Sequence, residues 1–319
     1  MSTLKRIAKR SEMGVLVPLL LLWIITGCFN RNFFSSMSMF SLLRSISVTL
    51  LGSIGATFVF SCGMMDLSVG AVYGLASMVA GMLMVNQGLP PFVAMLAGFL
   101  VAALFGLLNG FTINTLGLPA FISTLGTQYI GRGVVNVISG GKQIAGLPES
   151  FLALGGKGPL GVFWSIYIAI IFAIIAGWVL KYTVYGRSLL AVGGNEETAR
   201  TCGINVHRVR YIAYIISALM AALAGMLSAA RLSAVQATSG VGWEMVVVAA
   251  TVIGGVSMYG GSSSIFGAAI GVAIMETLTV SMTMIRINAY WQNIVVGIII
   301  IVAVAIDTFR RKKLSGGKG

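Results

Sequence analysis

The chain has 319 residues, 57% of them hydrophobic and only 9% charged, with a mean hydropathy of +0.97. A soluble domain carries charge on about a quarter of its residues, so this composition describes a polytopic membrane protein and excludes a soluble fold. The net charge of +13 does not mark a nucleic-acid partner, because the basic residues sit at the ends of apolar runs, where they orient membrane spans.

A helical span takes about 20 mostly apolar residues. On that measure the chain offers ten, at 13–29, 41–61, 67–85, 91–114, 119–138, 163–181, 208–230, 243–258, 264–285 and 290–307. The expected fold is all-α, one transmembrane domain over 1–319. With ten spans both termini share a side, together with the polar segment 186–210. That side collects Lys5, Arg6, Lys9 and Arg10, then Lys181, Arg187, Arg200, Arg208 and Arg210, then Arg310, Arg311, Lys312, Lys313 and Lys318. The excess of positive charge assigns it to the cytoplasm. The expected cytoplasmic parts are an N-terminal tail at 1–12, the segment 186–210 and a C-terminal tail at 308–319. The basic pairs before the first apolar run look like a signal peptide, but Phe29–Asn30–Arg31–Asn32 reads as the outer end of a retained span.

Asp66 and Glu244 each open a helix in this reading, Asp66 as the N-cap of Leu67–Val85. Asp307 closes the last span, and Glu276 lies within one. Small residues recur four apart at Gly70/Gly74, Gly106/Gly110, Ala221/Gly225 and Gly267/Gly271, a spacing that lets helices approach closely in lipid. The longest non-cytoplasmic loop, Ser139–Val162, is rich in glycine and proline, with room for one short amphipathic turn at 148–154. It is either a docking surface for an outside partner or a plain surface loop.

Gly186–Arg210 is the longest polar interruption. Asn195 is a good N-cap, Glu196 and Glu197 suit the positive end of a helix dipole, and Arg200 suits the other end. Gly203 can take the left-handed conformation that closes a helix. A capped helix of about two turns between two spans either docks on another protein or is a solvated loop that fixes topology.

Much chemistry is missing. No GxxxxGK[ST] phosphate loop occurs, so no nucleotide site of that kind is expected on this chain. A single histidine, His207, rules out a multi-histidine metal site and makes nucleophilic catalysis improbable. Neither an enzyme nor a resident cofactor is expected. Cys28, Cys62 and Cys202 share no metal or redox spacing. A proton relay wants several acids inside the spans, and Glu276 alone meets that description.

Several motifs resemble those of the ribose-type sugar permeases of bacterial ABC importers, over nearly the whole chain. They are Asp66–Leu67–Ser68–Val69–Gly70, Ala120 to Gly126 (AFISTLG), Gly186–Arg187, Gly193–Gly194–Asn195–Glu196, Gly203–Ile204–Asn205, Ala230–Arg231–Leu232, Gly254–Gly255–Val256–Ser257 and Gly260–Gly261. The resemblance implies about ten spans in the bacterial inner membrane and a second permease, identical or related. It also implies a cytoplasmic ATPase carrying the ATP and magnesium, and a periplasmic sugar-binding protein. Asn195, Glu196, Glu197, Arg200 and Gly203 then become the element that couples to the ATPase. Two departures stand out: the family commonly has an acid where this chain has Val246, and its GGxSxxGGxG ends here in Ser263.

For a sugar, aromatic faces match C–H groups and amides or hydroxyls match O–H groups. Asn109, Asn114, Phe121, Ser123, Thr124 and Gln128 gather around the break at Gly117–Leu118–Pro119. Broken helices are tolerated where they line a cavity, so these residues are candidates for the path; ordinary interhelical bonds are the other reading. Asp66 is a helix cap or a sugar contact. Arg132 snorkels outward or lines the path. A self-sufficient transporter coupled to ions is the alternative to the ATP-driven importer.

Overall fold

A computed structural model of the chain describes residues 11–315. Its helices are α1 (Ser11–Phe29), α2 (Ser36–Ser61), α3 (Val69–Asn86), α4 (Pro91–Asn114), α5 (Ala120–Ser139), α6 (Glu149–Leu152), α7 (Trp164–Tyr182), α8 (Val184–Gly194), α9 (Glu196–Thr201), α10 (Val206–Leu232), α11 (Trp243–Ile253), α12 (Ile265–Met284) and α13 (Ala289–Ser315). Two short strands, β1 (Ile144–Ala145) and β2 (Ala234–Val235), pair antiparallel with Ile144 opposite Val235.

Each of the ten expected segments falls on a helix. Among the described residues, seven helices are long and apolar enough to cross a membrane: α2, α3, α4, α7, α10, α12 and the Tyr290–Phe309 part of α13. The chain is thus an all-α, multi-pass membrane protein. α1 and α11 contribute shorter apolar stretches, Leu16–Phe29 and Trp243–Ile253. α5 has 20 residues but carries Ser123, Thr124, Thr127, Gln128, Arg132 and Asn136.

The centre of the bundle is α10, which packs on α2, α3 and α4. Its small residues allow this. A Cβ placed on Gly225 would lie 2.1 Å from the Tyr73 carbonyl oxygen of α3, and one on Gly106 would lie 2.8 Å from the Tyr214 carbonyl oxygen of α10. The expected small-residue pairs therefore do mark helix crossings. Around them Leu51, Ile54, Phe58, Tyr214 and Leu227 form the buried core.

One expectation needs correction, and three are given more detail. The span expected at 243–258 stops at Ile253, because the chain turns back onto α12: a Cβ on Gly254 would fall 2.4 Å from the Gly267 carbonyl. Asp307 lies near the end of the last apolar run, Tyr290–Phe309, in a helix that runs on to Ser315, and it accepts from Ser257 Oγ and Met258 N at 3.3 Å each. The polar segment 186–210 is largely helical, holding most of α8, all of α9 and the start of α10. Of the expected tails, 1–10 and 316–319 lie outside the described residues, while 11–12 and 308–315 belong to α1 and α13.

The short turn expected at 148–154 is present as α6 followed by a 3-10 turn at Ala153–Gly155. Phe151 is its buried anchor. Arg44 of α2 holds the loop by donating to the Gly155 carbonyl (2.8 Å) and lying 4.1 Å from the centroid of the Phe163 ring.

Candidate functional site

α3 begins inside the protein, with Asp66 to Val69 buried, while α11 begins in an exposed turn and buries Glu244 in its first turn. α3 follows the non-helical stretch 62–68, and α11 follows 236–242, which is turn and coil. Met65 and Asp66 sit beside the middle of α10, where Tyr214 Oη donates to the Met65 carbonyl (3.1 Å) and Ser217 Oγ to Asp66 Oδ2 (2.8 Å). Non-helical backbone at such depth persists only when it is buried in protein or lines a cavity. The start of α11 lies against the start of α3: the Trp243 and Tyr73 rings pack with centroids 4.6 Å apart and planes tilted by 46°. Glycine at position 70 is required, since a Cβ there would fall 2.7 Å from the Gly240 carbonyl oxygen as well as 2.1 Å from Glu244 Oε2.

Asp66 does not cap α3. The cap position is Ser68, and Asp66 Oδ1 instead accepts from Ser68 N (2.9 Å) and Ser68 Oγ (2.6 Å). The extended approach to the helix puts the carboxylate two residues too early. Ser68 Oγ in turn accepts from Asn109 Nδ2 (2.8 Å), and Asn109 Oδ1 accepts from Thr127 Oγ1 (2.7 Å). Asp66, Asn109 and Thr127 are all buried. Their chain of bonds ties α10, the 62–68 stretch, α4 and α5 together, with both Asp66 oxygens engaged. A buried network satisfied in this way fixes geometry.

The other candidates divide. Ser123 bonds Thr112 of α4, and Thr124 donates to the Ala120 carbonyl of its own helix (2.8 Å). The Asn114 amide is buried with no hydrogen-bond partner among the described residues. Phe121 is 53% exposed and stands apart from the polar cluster.

Gln128 and Arg132, one turn apart on α5, face the starts of α3 and α11. Arg132 donates to the Ser239 carbonyl (2.6 Å) and to the Gly70 carbonyl (2.8 Å). It therefore clamps backbone and does not snorkel. Gln128 Nε2 donates to Glu244 Oε1 (2.6 Å). Glu244 is 6% exposed, and the cap position of α11 is Gly242, with no side-chain bond. Reading Glu244 as a helix opener missed this role. The available signal was an acid next to a run of valines and alanines. Glu276, the acid expected within a span, sits in α12 and accepts from Thr49 Oγ1 of α2 (2.6 Å).

The capped helix lies at the other end of α10. Asn195 Oδ1 accepts from Thr198 N (2.9 Å), and Gly203 takes a φ of +80°. Glu196 pairs with Arg200 (2.8 Å) and with Arg210 of α10. Partial burial raises the Glu196 pKa, and the Arg200 and Arg210 guanidiniums outweigh that effect, holding it below the usual glutamate value. Ala199 is buried, while Glu197, Thr198, Arg200 and Thr201 face outward. The mount is tight: a Cβ on Gly193, at the end of α8, would fall 2.0 Å from the Ser61 carbonyl, which also accepts from Gly261 N (3.1 Å).

A multi-pass helical bundle with interrupted helices and a polar centre is the architecture of a membrane permease. Residues 38–304 match the family described as branched-chain amino acid transport system / permease component, and the chain belongs to that family. It is 33% identical over 304 residues to the autoinducer 2 import system permease protein LsrC of Escherichia coli O157:H7, covering 95% of this chain and 89% of that protein. It is 35% identical over 301 residues to the L-arabinose transport system permease protein AraH of Escherichia coli K12, covering 94% and 92%. A chain of PsaBC from Streptococcus pneumoniae, in complex with Fab, aligns over 89% of this chain and 94% of that one, with 14% identity and a TM-score of 0.46, too loose a match to build on.

Proposed function

We propose that the chain is the permease subunit of an ATP-driven importer that moves a monosaccharide or related small polyol from a periplasmic binding protein into the cytoplasm. In this reading the ten helices are ten spans of one domain in the bacterial inner membrane, with both termini cytoplasmic. A second permease, identical or related, completes the channel. ATP and magnesium belong to a separate cytoplasmic ATPase.

The observation that carries the ATP-driven reading is α9. It is capped at both ends, exposes one polar face, and is tied through Glu196 and Arg210 to the central helix. A helix of this length does not hold itself together in water, so its rigid mount suits a docking element. Permease relatives named for an import system and for L-arabinose transport support the choice of solute class.

The test is uptake into proteoliposomes that contain this chain, its ATPase and the binding protein encoded beside it. Uptake of labelled L-arabinose or D-ribose is expected to need ATP on the α9 face and binding protein on the other. Accumulation that follows an ion gradient without the ATPase would overturn the reading. Ligand profiling of the binding protein names the sugar.

A further inference from the structure

We infer that Glu244 and Gln128 form a solute contact at the centre of the permease, offering two acceptor oxygens to hydroxyl groups of the passing sugar. The inference rests on the transport reading above and adds to it a residue, Glu244, that determines which solute passes.

The evidence is a contrast between two buried polar groups. In the Asp66 network both carboxylate oxygens have donors. In the neighbouring pair, Gln128 Nε2 and Glu244 Oε1 satisfy each other, but Glu244 Oε2 and Gln128 Oε1 are buried with no hydrogen-bond partner among the described residues. A buried carboxylate oxygen without a donor is costly, and native interiors keep few of them. Arg132, the nearby cation, directs its bonds to two carbonyls instead. The space is built for the carboxylate, because a Cβ on Gly70 would occupy it.

The position suits a solute. Glu244 is the buried residue in the first turn of a helix whose preceding turn is exposed at Val241 and Gly242, and helix starts of this kind present ligand sites in transporters. Two adjacent sugar hydroxyls supply the two missing donors. Both oxygens are closed to solvent here, so access requires α5 to move off the start of α11, and the Gln128–Glu244 bond is the contact that opens.

The experiment uses the full importer in proteoliposomes, with D-ribose, 2-deoxy-D-ribose and L-arabinose as probes and saturating binding protein. Two variants are compared with the wild type. Glu244→Gln keeps the shape and removes the charge, while Glu244→Asp keeps the charge and withdraws it by one methylene. Both are expected to assemble and to hydrolyse ATP normally, with sugar uptake per ATP reduced about tenfold, the loss of one hydrogen bond to a charged group. The preference between ribose and its deoxy analogue is also expected to shrink. Normal uptake and unchanged preference in both variants would refute the inference. So would failure of both to assemble, which would make Glu244 a structural residue. A wild type that imports none of the probes with ATP would instead count against the transport reading itself.

Discussion

Arg132 reaches from α5 to the carbonyl of Ser239 across 2.6 Å, and the same guanidinium holds the Gly70 carbonyl at 2.8 Å. One side chain thus fixes two stretches of backbone to each other. Arg132→Met removes both donors and leaves the Ser239 carbonyl short of a partner, while the Gly70 carbonyl keeps its bond within α3. The expected cost is about 1–3 kcal/mol for the group left unsatisfied, read as a lower unfolding temperature of the purified permease. Arg132→Lys is expected to recover part of the loss, since an ammonium cannot span both carbonyls as a planar fork does. Equal stability of wild type and Arg132→Met would show that the clamp is dispensable.

The crossing of α3 and α10 depends on Gly225. A Cβ there would meet the Tyr73 carbonyl oxygen at 2.1 Å. Neither partner is a flexible side chain, so the helices must separate. Gly225→Ala is expected to destabilise by about 1–3 kcal/mol and Gly225→Val by more, measured as the yield of folded protein in detergent.

Charge reversal on α9 addresses coupling. Replacing Glu196 and Glu197 with lysine puts positive charge at the positive end of the helix dipole, at about 0.3–1 kcal/mol per residue. It also breaks the tie to Arg210. ATP hydrolysis is expected to continue without transport while the protein stays in the membrane. Normal uptake by the double variant would remove α9 from the coupling path.

The Glu196 tie has a predictable pH dependence. Its carboxyl is held below the usual glutamate value by Arg200 and Arg210. Its contribution is therefore fully present above the unfolded-state pKa and fades as pH falls through the depressed folded-state value. Amide exchange at Ala199 is expected to stay slow through the ordinary glutamate range and to quicken only below it. Quickening at the ordinary value would mean that the pair does not hold α9.

Topology can be read by labelling. In a background without Cys28, Cys62 and Cys202, a cysteine replacing Ser150 is expected to react with an impermeant thiol reagent from outside the cell membrane, and one replacing Thr198 is not. Both positions are exposed on the protein. The opposite pattern would invert the assignment of both loops.

The helices were legible because a span needs a long apolar run, and such runs are hard to hide. The caps of α9 were legible too, since Asn195 and Gly203 act through local backbone geometry. What escaped were features set by distant partners. Val256 and Met258 extend an apolar run, yet the helix ends at Ile253, because Gly254 must pass against Gly267. Asp66 looked like a helix cap, but Ser217, 151 residues away, claims its second oxygen. Glu244 read as a helix opener because its environment comes from Gln128, 116 positions earlier. Of the path candidates, those whose partners lie within one helix, such as Thr124, gave no sign in the sequence that they differ from Gln128.

The two-residue pairing of Ile144–Ala145 with Ala234–Val235 joins the long loop after α5 to the strand that leads into Ser239 and Gly240. A pull on that loop reaches the carbonyl held by Arg132 through main chain alone, over two paired positions and the four residues that lead from Val235 to Ser239. Whatever grips the loop has a mechanical handle on the middle of the molecule, and it needs no relay of side chains to use it.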